Sequence, residues 1–224
     1  TYQLDGASVS YSAYTSGYSS ASTRKLIITV PASAPVLYYW CSIHSGMGGQ
    51  INTNTTLGSS NFDGTTQSTV KVNATAGFSI VTYTGTGSAA TVGHGLGVAP
   101  NVIFIKGRVA TGGDGNWNVY HSGIGATKYL LLNSTAAEDT SSAAFNDTAP
   151  TSSVFTVNTF ADSNASTKTF VAYCWHEVPG YSSMGSYTGA TASGTDGTAD
   201  GPYVHCGFKP AWILIKQSSG SNNW

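Results

Sequence analysis

The stretch "GFSIVTYTGTGS", residues 77–88, decides the fold class. From Phe78 to Thr84 every residue except Ser79 is apolar, β-branched or aromatic, and Gly85, Thr86, Gly87 and Ser88 close the run. Side chains of this kind fit a pleated, half-buried strand, and Gly/Ser clusters turn the chain. The same alternation of short apolar runs and Gly/Asn/Asp/Ser/Pro clusters continues along the chain. It predicts strands near 25–30, 36–41, 78–84, 101–106, 116–120, 128–133, 153–158 and 169–176. Helical periodicity is almost absent, and Thr135–Ala144 is the one helix-tolerant stretch. The class is therefore all-β, with the strand spacing of a sandwich.

The quoted run also returns. "GFSIVTYTGTGS" (77–88) is echoed by "GYSSMGSYTGATAS" (180–193), and "GLGVAPNVIFIK" (95–106) by "HCGFKPAWILIK" (205–216). In the second pair Gly97, Pro100 and Lys106 match Gly207, Pro210 and Lys216. A period near one hundred residues is the size of a small domain, too long for a solenoid unit. The expected organisation is a β module over 1–57, a linker over 58–76, a lectin-like β-sandwich over 77–178 and the start of a second copy over 179–224. Thr1 and Trp224 both fall inside strand-like phrases, so the chain is expected to be a piece cut from a longer protein. Within the second copy, "GTDGTADGP" is a turn cluster whose Asp196 and Asp200 match no calcium-loop spacing.

Composition limits the function classes. The 224 residues carry 9 Lys+Arg and 10 Asp+Glu, a formal charge of −1, so nucleic acid is not an expected partner. Only 8% of residues are charged, against roughly 25% in ordinary soluble domains. Hydroxyls and glycines replace charge as the solubilising groups, as in extracellular or virion β proteins. Hydrophobic residues make up 40% of the chain, enough for a core, and none of them form a membrane-spanning run. Three cysteines argue against a disulfide framework.

One motif carries metal-ligand chemistry. In "YYWCSIHSGMGG" (38–49), Cys41, His44 and Met47 follow one another with two residues between each pair. A thiolate, an imidazole and a weak axial thioether belong to blue-copper ligand sets. A strand runs into Cys41, and Gly46, Gly48 and Gly49 permit a tight turn. The segment resembles the C-terminal ligand loop of cupredoxins, over residues 25–52 at most. That resemblance implies a cupredoxin-like β-sandwich fragment with Cys41, His44 and Met47 as ligands. The pattern also needs an earlier His, and residues 1–40 contain none. The expectation is thus no cofactor, with copper held only if a His upstream of Thr1 is supplied. Otherwise Cys41 and Met47 are packing groups in a turn.

The remaining constellations are weaker. Cys174, His176, His205 and Cys206 make up a Cys2His2 set, but the pairs are spaced too closely for the usual zinc pattern. The alternatives are a Cys174–Cys206 disulfide or two separate buried thiols. His94 and His121 flank glycines and are expected on surface loops. No G-x-S-x-G elbow and no paired carboxylates occur, so no enzyme is expected. Trp117, Tyr120, Trp175, Tyr181, Tyr187, Tyr203 and Trp224 are candidates for stacking on sugar rings. "GDGNWNVYH" (113–121) is the best loop for it, with Trp117 and Tyr120 as the glycan-binding pair. The competing assignment puts both in the core of a strand.

Across nearly the whole chain, "VPASAPVLYYWCSIHSGMGGQINT", "GFSIVTYTGTGSAATVGHGLGVAPNVIFIK", "APTSSVF" and "TFVAYCWHEVPGYSSMGSYTG" resemble marine tailed-phage virion proteins, those of cyanophages and their relatives. The resemblance implies a location on the virion, as a tail fibre, spike or capsid appendage. Its partners would be other virion proteins and further copies of itself, a trimer being expected, with a host-surface polysaccharide as receptor. Two other classes stand beside it: an extracellular carbohydrate-binding adhesin and a copper electron-transfer module.

Overall fold

The computed structural model describes residues 1–26, 37–40, 48–51, 58–189 and 201–224, the backbone alone for 37–40 and 48–51. It falls into two compact units, Thr1–Asn54 and Thr55–Trp224.

In the first unit, β1 (Tyr2–Leu4), β2 (Ala7–Val9) and β3 (Arg24–Leu26) form an antiparallel sheet with β1 central. Asp5 and Gly6 turn β1 into β2, both at positive φ (47° and 83°), the conformation a two-residue hairpin of matching twist demands. A short helix, α1 (Tyr11–Gly17), joins β2 to β3. It was not expected, and its local signal is Ser10, whose hydroxyl accepts from the Ala13 N–H as N-cap. β4 (Leu37–Trp40) and β5 (Gly48–Ile51) pair antiparallel, Trp40 opposite Gly48.

The second unit is built on one large antiparallel sheet. Its strands are β6 (Ser59–Asn61), β7 (Ser68–Asn73), β8 (Phe78–Thr84), β10 (Val102–Gly107), β11 (Asn118–His121), β12 (Lys128–Leu131), β13 (Asp139–Thr140) and β15 (Thr169–Trp175). The order is β13-β12-β11-β10-β15-β8-β7-β6. β9 (Ala90–Gly93) and β14 (Val154–Val157) pair as a separate ribbon. Two one-turn helices, α2 (Ser142–Phe145) and α3 (Ala161–Asn164), complete the unit. The all-β class is as expected, and each of the eight predicted strands has a counterpart. The second layer of the sandwich is small: a ribbon and two helical turns.

β8 and β15 show why these sequences make central strands. Side chains alternate between faces, so Ser79, Val81 and Tyr83 on β8, and Phe170, Ala172 and Cys174 on β15, all point into the core and are buried. Phe145 of α2, Phe155 and Val157 of β14 and Val92 of β9 join them in one cluster. Each fully buried aromatic here contributes on the order of 2–3 kcal/mol through area removed from water. The alternate residues Phe78, Ile80, Val171, Tyr173 and Trp175 are apolar too, and half-buried on the opposite face. Strands apolar on both faces read as continuous runs, and so the sequence exposes them.

Two expectations about organisation differ from the structure. Residues 58–76 are not a linker. β7 pairs with β8 over six residues, β6 pairs with β7, and Val70 enters the core. Polar outward side chains on the edge strand β6 and its neighbour β7 hid them. Residues 179–224, expected to begin a second sandwich, contain no strand among those described. "PAWILIK" (210–216) matches β10 in sequence, but Trp212, Ile213 and Ile215 are exposed. β10 is held by ladders to β11 and β15 on its two sides, and residues 201–224 have no such neighbours. Residues 216–224 lie instead along the β12–β13 region, where Trp224 Nε1 donates to the Leu131 carbonyl and the Glu138 N–H to the Ser218 carbonyl.

Candidate functional site

Cys41, His44 and Met47 lie in the 41–47 connection between the paired strands β4 and β5, outside the described residues. So do Asp196 and Asp200. Cys174 and Cys206 are both free thiols, the first fully buried in the sheet. Burial pushes the Cys174 thiol up to about 12. Among the described residues no group of His, Cys, Asp and Glu is arranged to hold a metal.

His94 is not a surface residue. It is fully buried, its Nε2 lies 3.1 Å from the Thr151 carbonyl, and its Nδ1 accepts from the Leu96 N–H at 3.2 Å. An acceptor at Nδ1 fixes the proton on Nε2, so the ring is a neutral structural tie. Desolvation holds its pKa below the ordinary histidine value, against smaller raising effects from Thr151 and Asp63.

The pair Trp117 and Tyr120 is split by the sheet. Tyr120 is 4% exposed and packs edge-on against Phe145 in the core, ring centroids 5.5 Å apart. It cannot meet a polysaccharide. Three residues earlier, the strand alternation points Trp117 to the opposite face. There it stacks with Tyr173 at 6.1 Å, planes 23° apart.

That outward face is the candidate site. The register sets Phe78 beside Trp175, Ile80 beside Tyr173, and Tyr173 beside Phe104. Ring centroids lie 5.1 Å apart for Phe78–Trp175, 4.9 Å for Phe104–Trp175 and 6.2 Å for Tyr173–Trp175. Phe78 and Tyr173 are nearly parallel, with planes 6° apart. Five aromatic rings therefore form a continuous patch across β8, β15, β10 and the approach to β11. Trp117 is fixed in place by its N–H, which donates to Asn133 Oδ1 at 2.9 Å, and by its carbonyl, which accepts from the Leu132 N–H. Of these five, only Trp117 and Trp175 stood out in the sequence. Phe78, Phe104 and Tyr173 became visible as surface groups only through the strand register.

At the Trp117 end the patch runs into the loop 106–115, which with Asp162 lines an open concavity of about 570 Å3. Asp162 is buried in α3, and its Oδ1 accepts from the Gly115 N–H at 2.9 Å, fastening the loop tip. Lys106 lies with its ammonium 6.0 Å from the Trp117 ring and donates to the Gly115 carbonyl. Flat apolar faces, a polar loop and one cation make a surface suited to sugar rings, whose C–H faces stack and whose hydroxyls bond.

No helix among the described residues is long and apolar enough to cross a membrane. Residues 51–224 match a family described as a domain of unknown function (DUF7483), and the chain belongs to that family. No curated protein and no solved structure matches the chain.

Proposed function

We propose that this member of the DUF7483 family is a structural module of a phage virion appendage that binds a host-surface polysaccharide through the outward face of its large sheet. The observation that carries the binding role is the patch of Phe78, Phe104, Trp117, Tyr173 and Trp175, neighbouring centroids 4.9–6.2 Å apart and the face half open to solvent. The virion role is supported by the charge-poor, hydroxyl-rich composition and by the phrases similar to those of marine tailed-phage proteins. A shallow face binds a chain of sugars weakly, and presentation in several copies, as in a trimer, converts weak binding into avidity. The module binds rather than catalyses.

Two measurements test this. An antibody against the chain should label one defined position on purified particles, and a protein absent from particles defeats the virion role. Isolated host envelope polysaccharide should retard the chain in affinity electrophoresis, with Trp117→Ala and Tyr173→Ala each abolishing the retardation. Retardation untouched by both changes removes the receptor role and leaves the structural one.

A further inference from the structure

Resting on the polysaccharide-binding role just described, we infer that the glycan this face takes is anionic. The carrying observation is the sign of the charges along the strands. Outward positions on the sheet include Lys71, opposite Ile80, and Lys106, opposite Val171. Arg108, whose N–H continues the ladder to the Thr169 carbonyl, follows Lys106 on the same face. Lys128 also points outward but is spent on Glu138, the one ion pair among the described residues. No Asp or Glu holds an outward strand position. The sheet's one acidic strand residue, Asp139, is opposite the core residue Tyr129 and accepts from its hydroxyl.

Three carboxylates lie close by: Asp162, engaged by Gly115, Asp114, exposed at the loop tip, and Glu177, two residues past Trp175, whose Oε1 accepts from the Ser183 hydroxyl and the Met184 N–H. Asp162 and Asp114 are off the aromatic patch, and Glu177 borders it at the Trp175 end, away from the Lys106 end. Lys71 borders the patch from β7, and Lys106 stands on β10 beside Trp117, with Phe78, Tyr173 and Trp175 on the strands between. Between β7 and β10 lie only β8 and β15, so β7 and β10 are about 15 Å apart across the sheet at the interstrand spacing of 4.7–4.9 Å. That separation spans several sugar units. A neutral glycan gains only hydroxyl hydrogen bonds from cations placed this way, whereas carboxylates or sulfates along a polymer gain charge-assisted bonds to both while their rings stack on the aromatics.

The experiment uses the whole chain and matched polymers differing only in charge: polygalacturonate against its full methyl ester, and dextran sulfate against dextran. Affinity electrophoresis should give binding about tenfold tighter to the charged member of at least one pair, lost when salt rises from about 0.05 to about 0.5 M. Lys71→Gln and Lys106→Gln should each weaken that binding about threefold or more while leaving the melting temperature unchanged. Equal binding to charged and neutral members overturns the anionic preference and leaves the polysaccharide role standing. Binding to none of the four polymers overturns the anionic preference, and the absence of retardation by host envelope polysaccharide as well overturns both. A dT oligonucleotide of about thirty residues, included because cations beside aromatics also suit single strands, overturns the inference if it binds as tightly as the best polymer.

Discussion

The Asn164 side chain meets Thr86 at both ends: its Oδ1 accepts from the Thr86 N–H at 2.9 Å, and its Nδ2 donates to Thr86 Oγ1 at 3.1 Å. The same Nδ2 donates to the Ser88 and Asn158 carbonyls at 2.7 Å. Asn164 is 1% exposed, so this one amide anchors the turn after β8 to the end of α3. Gly85 lies in the same junction, where a Cβ would sit 2.3 Å from the Ala165 carbonyl. Replacing Asn164 by Ala leaves the Thr86 N–H and the Asn158 carbonyl without their partner and the Ser88 carbonyl with the Thr86 hydroxyl, a loss of about 3 kcal/mol. Asn164→Asp should also destabilise, since a carboxylate faces those carbonyls without donors and buries charge. Urea unfolding checks both, and a midpoint within error of wild type for Asn164→Ala would refute the anchoring role.

Trp117→Ala and Tyr120→Ala should separate binding from stability. Tyr120 is packed on Phe145 in the core, so its truncation costs about 3–5 kcal/mol. Trp117 is half-buried on the outward face, and its loss should cost less stability but remove polysaccharide binding. Melting temperature and affinity electrophoresis on the same two samples give the comparison. A Trp117→Ala protein that melts as low as Tyr120→Ala would place Trp117 in the structural core.

Legibility followed the physics of each strand. β8, β10 and β15 are apolar on both faces, so their runs stood out without any knowledge of partners. β6 is the edge strand and β7 lies next to it, with Ser, Thr, Lys and Asn outward, and composition made them look like a linker. The segment 210–216 misleads in the opposite direction, because propensity predicts a strand while pairing decides whether one forms. His94 stood between two glycines and looked like a loop residue. Its burial depends on Thr151, which is distant in sequence. The site failed in a similar way: Trp117 and Tyr120 are close in sequence, and only strand parity shows that they face apart.

The two described cysteines should differ in reactivity. Cys174 is fully buried and its thiol is pushed up to about 12, so at pH 8 it presents almost no thiolate and no access. Cys206 is half-buried, and its Sγ donates to the Phe208 carbonyl at 3.6 Å. Iodoacetamide on the folded chain should label Cys206 and spare Cys174, and urea should expose both. Peptide mass spectrometry locates the label. Labelling of Cys174 at the Cys206 rate would contradict its place in the core.

Acid should weaken the fold through His94 and His121. Desolvation lowers both pKa values, His121 against a raising effect from Glu177. Above about pH 6.5, the ordinary histidine value, both rings are neutral folded or unfolded, and they add no pH dependence. Below it the unfolded chain takes up protons that the folded chain refuses. Stability therefore falls as the pH drops from about 6.5 toward the lowered folded values, then levels off for these groups. His94→Gln isolates the larger structural element. A glutamine amide can accept from the Leu96 N–H and donate to the Thr151 carbonyl, keeping both bonds without a titrating ring. Melting temperatures at about pH 5.5 and about pH 7.5 should differ for the wild type and differ less for His94→Gln. An equal drop in the two proteins would assign the acid sensitivity to groups other than His94.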